Sequence, residues 1–176
     1  MSLFIQMPRT YKGKYTVKNP KKYKGDLDKV IYRSNWEHQV MIYLDEHSGV
    51  SQWNSEDFII PYYYDVDKKW HKYHMDFWIK FTNGKVLLVE VKPKKQTEPP
   101  KTKNPKSKRS LNEVFAYIKN RNKWEAAEQV AKDNGYGFDI WTEIELTKMG
   151  ILKKTPGKLK KPIKPLKPYR KPKKKT

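Results

Sequence analysis

Cysteine is absent from this 176-residue chain. That excludes a disulfide framework and a thiolate zinc site, and four histidines without metal-ligand spacing do not replace one. Long hydrophobic runs are missing too. No stretch approaches the roughly 18–20 apolar residues of a membrane span, and the N-terminal Met1-Ser-Leu-Phe-Ile-Gln-Met-Pro8 is too short an apolar run for a signal peptide, so a soluble protein with no membrane partner is expected. Acidic residues are lacking at one end only: residues 153–176 hold twelve Lys/Arg, five Pro and no Asp or Glu. Taking those twelve from 39 basic residues leaves 27 against 19 acidic ones, so the formal charge of +20 becomes +8 for the body. A Lys-Pro segment of this composition buries too little apolar surface to fold alone and needs a polyanion or a partner to order it.

What is present is one domain with a real core, to which six Trp, twelve Tyr and six Phe give bulk. The chain divides into a basic, Tyr-rich, aperiodic N-terminal arm (1–29), a domain (30–150) and the C-terminal tail (151–176). Ser34-Asn-Trp-Glu37 reads as a capping box opening a helix, with Trp36, Val40, Tyr43 and Leu44 as its apolar stripe and Gly49 as its stop. Three strands follow, at Trp53–Tyr64, about Trp70–Phe81 and Lys85–Pro93. Residues 94–109 form a long Pro/Lys/Thr loop. Ser110-Leu-Asn-Glu113 opens a second helix running to about Asn134, with Gly135 as its stop, and Phe138–Leu146 is the last strand. The fold class is α/β (α+β), in the order α-β-β-β-α-β.

Between the second and third strands the turn residues fix the register. A two-residue Asn83-Gly84 turn would put Glu90 on the face of Phe77, Ile79 and Phe81, burying a carboxylate among apolar side chains. A three-residue loop, Thr82-Asn83-Gly84 with Gly84 left-handed, pairs Phe81 with Lys85 and therefore Asp76 with Glu90. Met75, Phe77, Ile79, Phe81, Leu87, Val89 and Val91 then share one face, while Asp76, Trp78, Lys80, Leu88, Glu90 and Lys92 share the other. Two carboxylates paired across strands repel unless a cation lies between them. Mg²⁺, or Mn²⁺ in its place, takes such hard oxygen ligands. Lys92 can orient or help deprotonate an attacking water, and Glu37 can add a further acid.

Each residue also has a plainer reading. An Asp opening a strand is ordinarily a solvated turn residue, Glu-Val-Lys an exposed charge pattern, and Glu37 a helix cap bonded to the backbone of Ser34. The order is more specific than its members: an acid on the first helix, an acid on the second strand, an acid-x-Lys on the third, then a basic helix.

Glu37, Asp76 and Glu90-Val-Lys92 in this order resemble the PD-(D/E)XK, or restriction-endonuclease-like, nucleases. Tyr32-Arg-Ser-Asn-Trp-Glu37, Trp53-Asn-Ser-Glu56, Ile60-Pro-Tyr62, His74-Met-Asp-Phe-Trp78 and Val89-Glu-Val-Lys-Pro-Lys94 resemble the TnsA-type transposon endonucleases, and more closely the head completion nucleases of T-even-like tailed phages. The similarity covers about residues 30–146. It implies a mixed central sheet flanked by helices and a Mg²⁺-dependent DNA endonuclease. Asp76 and Glu90, with Glu37, would be the metal ligands, and Lys92 the catalytic lysine. The phage relatives further imply a virion protein, made in the host cytoplasm, that acts on packaged DNA before heads join tails, with head, portal and neck proteins as partners. Met75 stands where the family's usual proline precedes the aspartate, and the Lys-Pro tail lies outside the resemblance.

The remaining basic residues suit double-stranded DNA. Lys94 and Lys95, followed by Lys101, Lys103, Lys106, Lys108 and Arg109, put a basic loop next to the site, and Lys119, Arg121 and Lys123 give the second helix a basic face; phosphate contacts of this kind weaken steeply with salt. Trp124 and Val130 are expected in the core, and His71 and His74 as structural residues. Two other classes stay open: a catalytically silent adaptor or plug at a phage head–tail junction that keeps the fold, and a ribosomal or nucleoid-type basic protein, which accounts for the charge but not for Asp76 with Glu90-x-Lys92.

Overall fold

Short elements open the chain in the computed structural model, which describes residues 11–101 and 104–153. Strand β1 (Gly13–Lys14) pairs antiparallel with β2 (Ile31–Tyr32). Then come helix α1 (Asn35–Glu46) and strands β3 (Val50–Asn54), β4 (Ile59–Tyr64), β5 (Lys69–His74), β6 (Phe77–Phe81) and β7 (Val86–Val91). Helix α2 (Lys108–Asp133), strand β8 (Gly137–Trp141) and helix α3 (Glu143–Lys148) complete the fold. Four strands form a mixed sheet in the order β3-β6-β7-β8; only β7 and β8 run parallel, and α2 makes the crossover that a parallel pair requires.

Local signals place α1 and the β6–β7 hairpin. The Ser34 hydroxyl caps α1 by accepting from the Glu37 amide at 3.2 Å. The helix stops at Glu46 with His47 as its C-cap, before the expected Gly49. In the hairpin, Phe77 faces Val89 and Ile79 faces Leu87, while the Phe81 amide donates to the Lys85 carbonyl at 2.9 Å. Gly84 sits at φ 83°, the left-handed conformation that the three-residue loop needs. This is the register predicted from the turn, and its continuation sets Asp76 against Glu90.

Elsewhere tertiary contacts redraw the expected boundaries. The first two predicted strands each break in two, giving β3 and β4 on one side and β5 and β6 on the other. The breaks face each other: the Glu56 amide donates to the Met75 carbonyl at 3.0 Å and the Met75 amide to the Phe58 carbonyl at 2.9 Å. Glu56, at φ 60°, turns the chain there. An irregularity of this kind bends a hairpin, and the distal β4–β5 pair packs on α2 through Ile60, Tyr62, Tyr64 and Tyr73. Met75 packs with Leu88 in that cluster instead of sharing the Phe77 face, because the regular alternation fails at the break.

Three further boundaries differ from expectation. Helix α2 begins three residues early because Ser107, not Ser110, is its cap. The last strand ends at Trp141, where Thr142 and Glu145 form a capping box and start α3 with Leu146 buried, so the capping box prevails over the β-forming character of Ile144 and Leu146. Residues 11–29 pack against the domain rather than standing off as an arm. The buried rings of Tyr15 and Tyr23 lie 6.2 and 4.8 Å from that of Trp53, since burying a tyrosine ring offsets the cost of ordering its chain. The expectations for residues 1–10, Lys103 and the tail from 154 onward fall outside the described residues. Two cores result: Phe77, Ile79, Val89 and Val91 pack with α1, while Leu88 and Trp78 pack with α2 and the β4–β5 pair.

Candidate active site

Strand β7 carries Glu90 into the interior, where it is 1% exposed. Its Oε1 lies 2.9 Å from the Lys92 ammonium, and its Oε2 accepts a hydrogen bond from the Tyr73 hydroxyl at 2.6 Å. Lys92 is held in turn by β8, its amide donating to the Trp141 carbonyl at 3.2 Å. Asp76, at the break before β6, accepts from the Val91 amide through Oδ2 at 2.8 Å. Its Oδ1 takes no hydrogen bond from the described residues. Burial and then the neighbouring Glu90 hold the Asp76 carboxyl well above the usual aspartate range, only partly offset by Lys92. Burial pushes the Lys92 ammonium down, but Glu90 and Asp76 outweigh it and the net shift is upward, so Lys92 keeps its proton. Tyr73, buried against the same carboxylates, is also pushed up and stays a neutral donor.

These groups line a pocket of about 390 Å³ together with Arg33, Glu37, Glu56, Lys72, His74 and Lys123. The Arg33 guanidinium forms a two-pronged pair with Glu56, one bond being Nη2 to Oε2 at 2.8 Å. The left-handed Glu56 is fixed by the His74 ring, whose Nδ1 lies 2.9 Å from the Glu56 carbonyl oxygen. Glu37 joins the pocket while acting as a cap: one carboxylate oxygen accepts from the Ser34 hydroxyl at 2.9 Å and the other from the Arg33 amide at 2.7 Å, one residue before the Ser34 amide that a capping box would engage. Its charge still contributes to the upward shift of Asp76.

Of the expected DNA-contacting residues, the fold brings one to the carboxylates. Lys123 reaches across from α2 to lie 4.8 Å from the Tyr73 ring centre, and burial lowers its pKa. Lys119 lies over the Tyr64 ring at 4.9 Å, one helical turn away. Arg121 turns outward and pairs with Glu125 at 2.9 Å. Lys94 pairs with Glu98 at 3.6 Å, and Lys95 lines a separate cleft of about 760 Å³ between the basic loop and the start of α2, which contains neither Asp76, Glu90 nor Lys92. His71 is bonded to Asp67 at 2.8 Å and Trp124 is buried. Sequence reasoning missed Tyr73, Arg33 and Glu56 as site residues. Arg33 and Glu56 do lie in segments that carry the family resemblance, Tyr32-Arg-Ser-Asn-Trp-Glu37 and Trp53-Asn-Ser-Glu56, whereas for Tyr73 the alternation along β5 is the one signal.

The donor set fits a hard divalent cation. Two carboxylates are forced together with their repulsion only partly relieved at Asp76, and one or two carboxylates are what Mg²⁺ ordinarily takes from protein, the remaining ligands being waters and phosphate. Among the described residues no group of three or more His, Asp or Glu could hold an ion. Glu37 would have to release its cap bonds to become a third ligand.

A mixed sheet with an acid at a strand break, acid-x-lysine on the next strand and a crossover helix over the pocket defines a restriction-endonuclease-like nuclease. The chain belongs to the TnsA-like endonuclease family, whose N-terminal domain model matches residues 47–143. It is also similar to the head completion nuclease of Enterobacteria phage T4, at 39% identity over 145 residues that span 80% of this chain and 97% of that protein.

Proposed function

We propose that the protein is a divalent-metal-dependent DNA endonuclease that acts on packaged phage DNA before heads join tails and is retained in the virion, with head, portal and neck proteins as partners. The observation that carries the catalytic part is the convergence of Asp76, Glu90 and Lys92 in one pocket, with Lys92 Nζ 2.9 Å from Glu90. The head-completion part rests on similarity to the T4 protein.

Asp76 and Glu90 would hold the cation, Mg²⁺ or Mn²⁺. When bound, it supplies Lewis acidity toward a phosphoryl oxygen and lowers the pKa of a coordinated water. Lys92, its pKa raised by Glu90 and Asp76, would orient the nucleophile and offset charge building on the phosphate. Tyr73 keeps Glu90 in place by donating to Oε2. Glu37 adds negative charge next to Asp76, while Lys123, with Arg33 and Lys72, lines the pocket with cations that suit a phosphate backbone, and Lys119 lies one helical turn away over Tyr64.

Supercoiled plasmid incubated with the purified protein tests this reading. Nicking or linearisation is expected with Mg²⁺ or Mn²⁺, none in a chelator, and none with Glu90→Ala. Cleavage in the chelator would remove the metal, equal cleavage by Glu90→Ala would remove the site, and inertness under every condition would leave an adaptor with a nuclease fold.

A further inference from the structure

We propose that the outer face of the β4–β5 hairpin is a stacking platform for unpaired bases, which guides a single-stranded segment of DNA toward the carboxylate pocket. The inference deepens the proposed function and rests on it for DNA as the ligand. Cross-strand pairing sets Tyr63 against Trp70, Pro61 against Lys72 and Ile59 against His74. These six side chains alternate with Ile60, Tyr62, Tyr64, His71 and Tyr73, which face α2. The outer set is therefore turned to solvent, and with it two large aromatic rings.

Trp70 is 71% exposed and Tyr63 40%, their ring centres 5.7 Å apart in an edge-on arrangement. Exposed apolar residues scattered singly need no explanation, but contiguous aromatics on a regular strand pair mark a contact surface. Charge selects the ligand. The outer face carries Lys72 and His74 and no carboxylate. The two acids of the turn are drawn to the inner side, Asp65 by the Asn122 amide of α2 at 2.7 Å and Asp67 by His71.

The face is continuous with the pocket, because Lys72 and His74 belong to both. At about 3.3 Å per residue, Trp70 stands about 13 Å from His74 along the strand, so a base stacked on the indole would have its backbone led past Lys72 to the pocket rim. An indole plane needs the face of a base. In a duplex those faces are covered by stacking and only base edges show in the grooves, so the ligand that fits is an unpaired stretch such as an overhang, gap or flap.

The test uses the full chain in chelator, so that binding is read without cleavage. Anisotropy of a labelled oligothymidine and of a blunt duplex, at one ionic strength, is compared for wild type, Trp70→Ala and Trp70→Phe. Trp70→Ala is expected to weaken oligothymidine binding by about tenfold and blunt-duplex binding by less than about twofold, while Trp70→Phe keeps most of the affinity. Oligothymidine should also quench tryptophan emission in the wild type by an amount absent from Trp70→Phe. Unchanged oligothymidine affinity in Trp70→Ala, as a protein-docking face would give, overturns the proposal. So does an equal loss on both ligands, or quenching that survives in Trp70→Phe. A wild type that cuts no plasmid but shows the selective loss would overturn the function proposed above and leave this inference standing; cleavage with a neutral Trp70→Ala would do the reverse.

Discussion

Helix α1 and strand β7 each bury a carboxylate, and the two are treated in opposite ways. Asp45, at the end of α1, is fully buried and accepts from the Tyr15 hydroxyl at 2.9 Å and from the Lys18 and Asn19 amides at 2.7 and 3.1 Å. These neutral donors fasten residues 15–19 to the helix, and among the described residues no second carboxylate shares them. Glu90 is as deeply buried, but it is set against Asp76, and the repulsion is left in place with one lysine to moderate it. A fold that satisfies Asp45 so completely has the means to satisfy a buried acid. That it does not do so at β6–β7 supports the proposed reading of the second site as one kept for a cation, and the cost is local because each site has its own core around it.

Breaking each site should therefore fail differently. Lys92→Ala is expected to lower cleavage by about a thousandfold, the range associated with losing one preorganised charge at a reacting phosphate or oxyanion. Single-turnover cleavage at saturating protein would read this, and an activity within tenfold of wild type would separate Lys92 from the chemistry. Asp45→Ala should do the converse. It strands a buried hydroxyl and two amides and should cost about 3 kcal/mol of stability. Melting should fall by several degrees while metal-dependent cleavage, measured well below the transition, stays within about twofold. A large loss of activity in a folded Asp45→Ala protein would merge the two sites into one.

Asp76→Asn sharpens the contrast in sign. The folded-state pKa of Asp76 is raised, so between the unfolded and folded values the folded chain binds the proton more tightly; stability is fullest in acid and is lost as pH rises through the folded value. A neutral amide can still accept from the Val91 amide without repelling Glu90. Cleavage should vanish while the metal-free protein gains about 1 kcal/mol near pH 7, a rise of roughly 2–4 °C in Tm. The gain should shrink on acidification, as Asp76 itself becomes protonated. A lower melting point for Asp76→Asn in chelator would mean that Asp76 is a satisfied structural acid like Asp45.

How much of this contrast is legible in the sequence depends on how local its cause is. The register that sets Asp76 against Glu90 follows from a turn residue, Gly84, and from alternation on either side of it, all within seventeen residues. The Ser34 cap is equally local. The break at Glu56 and Met75 is not, because it arises from the β4–β5 pair leaving the sheet to pack on α2, which lies more than thirty residues farther along the chain. Tyr73 escapes a sequence reading for the same reason, as its partner Glu90 is seventeen residues away across that break. The Tyr15–Asp45 tie spans thirty residues and is invisible to periodicity, so residues 11–29 look like a free arm. Thr142 is a different failure: its Thr-x-x-Glu signature is local, but a run of β-formers obscures it.

Glu37 has the smallest expected effect and the most to say about the comparison, because it belongs to both kinds of site. Like Asp45, it is held by neutral donors, from Ser34 and the Arg33 amide; like Glu90, it adds to the repulsion on Asp76. Glu37→Gln separates the roles. The amide oxygen keeps one cap bond, so stability should change by no more than about 0.5 kcal/mol, whereas Glu37→Ala should lose about 1 kcal/mol with the cap. If Glu37 is only a cap, Glu37→Gln cleaves like wild type at every metal concentration. If its charge helps to concentrate the cation beside Asp76 and Glu90, Glu37→Gln needs several-fold more Mg²⁺ for half-maximal cleavage while its saturated rate falls little. The second outcome is expected, since α1 places this carboxylate at the pocket wall, where a cap alone would have served equally well from an uncharged glutamine.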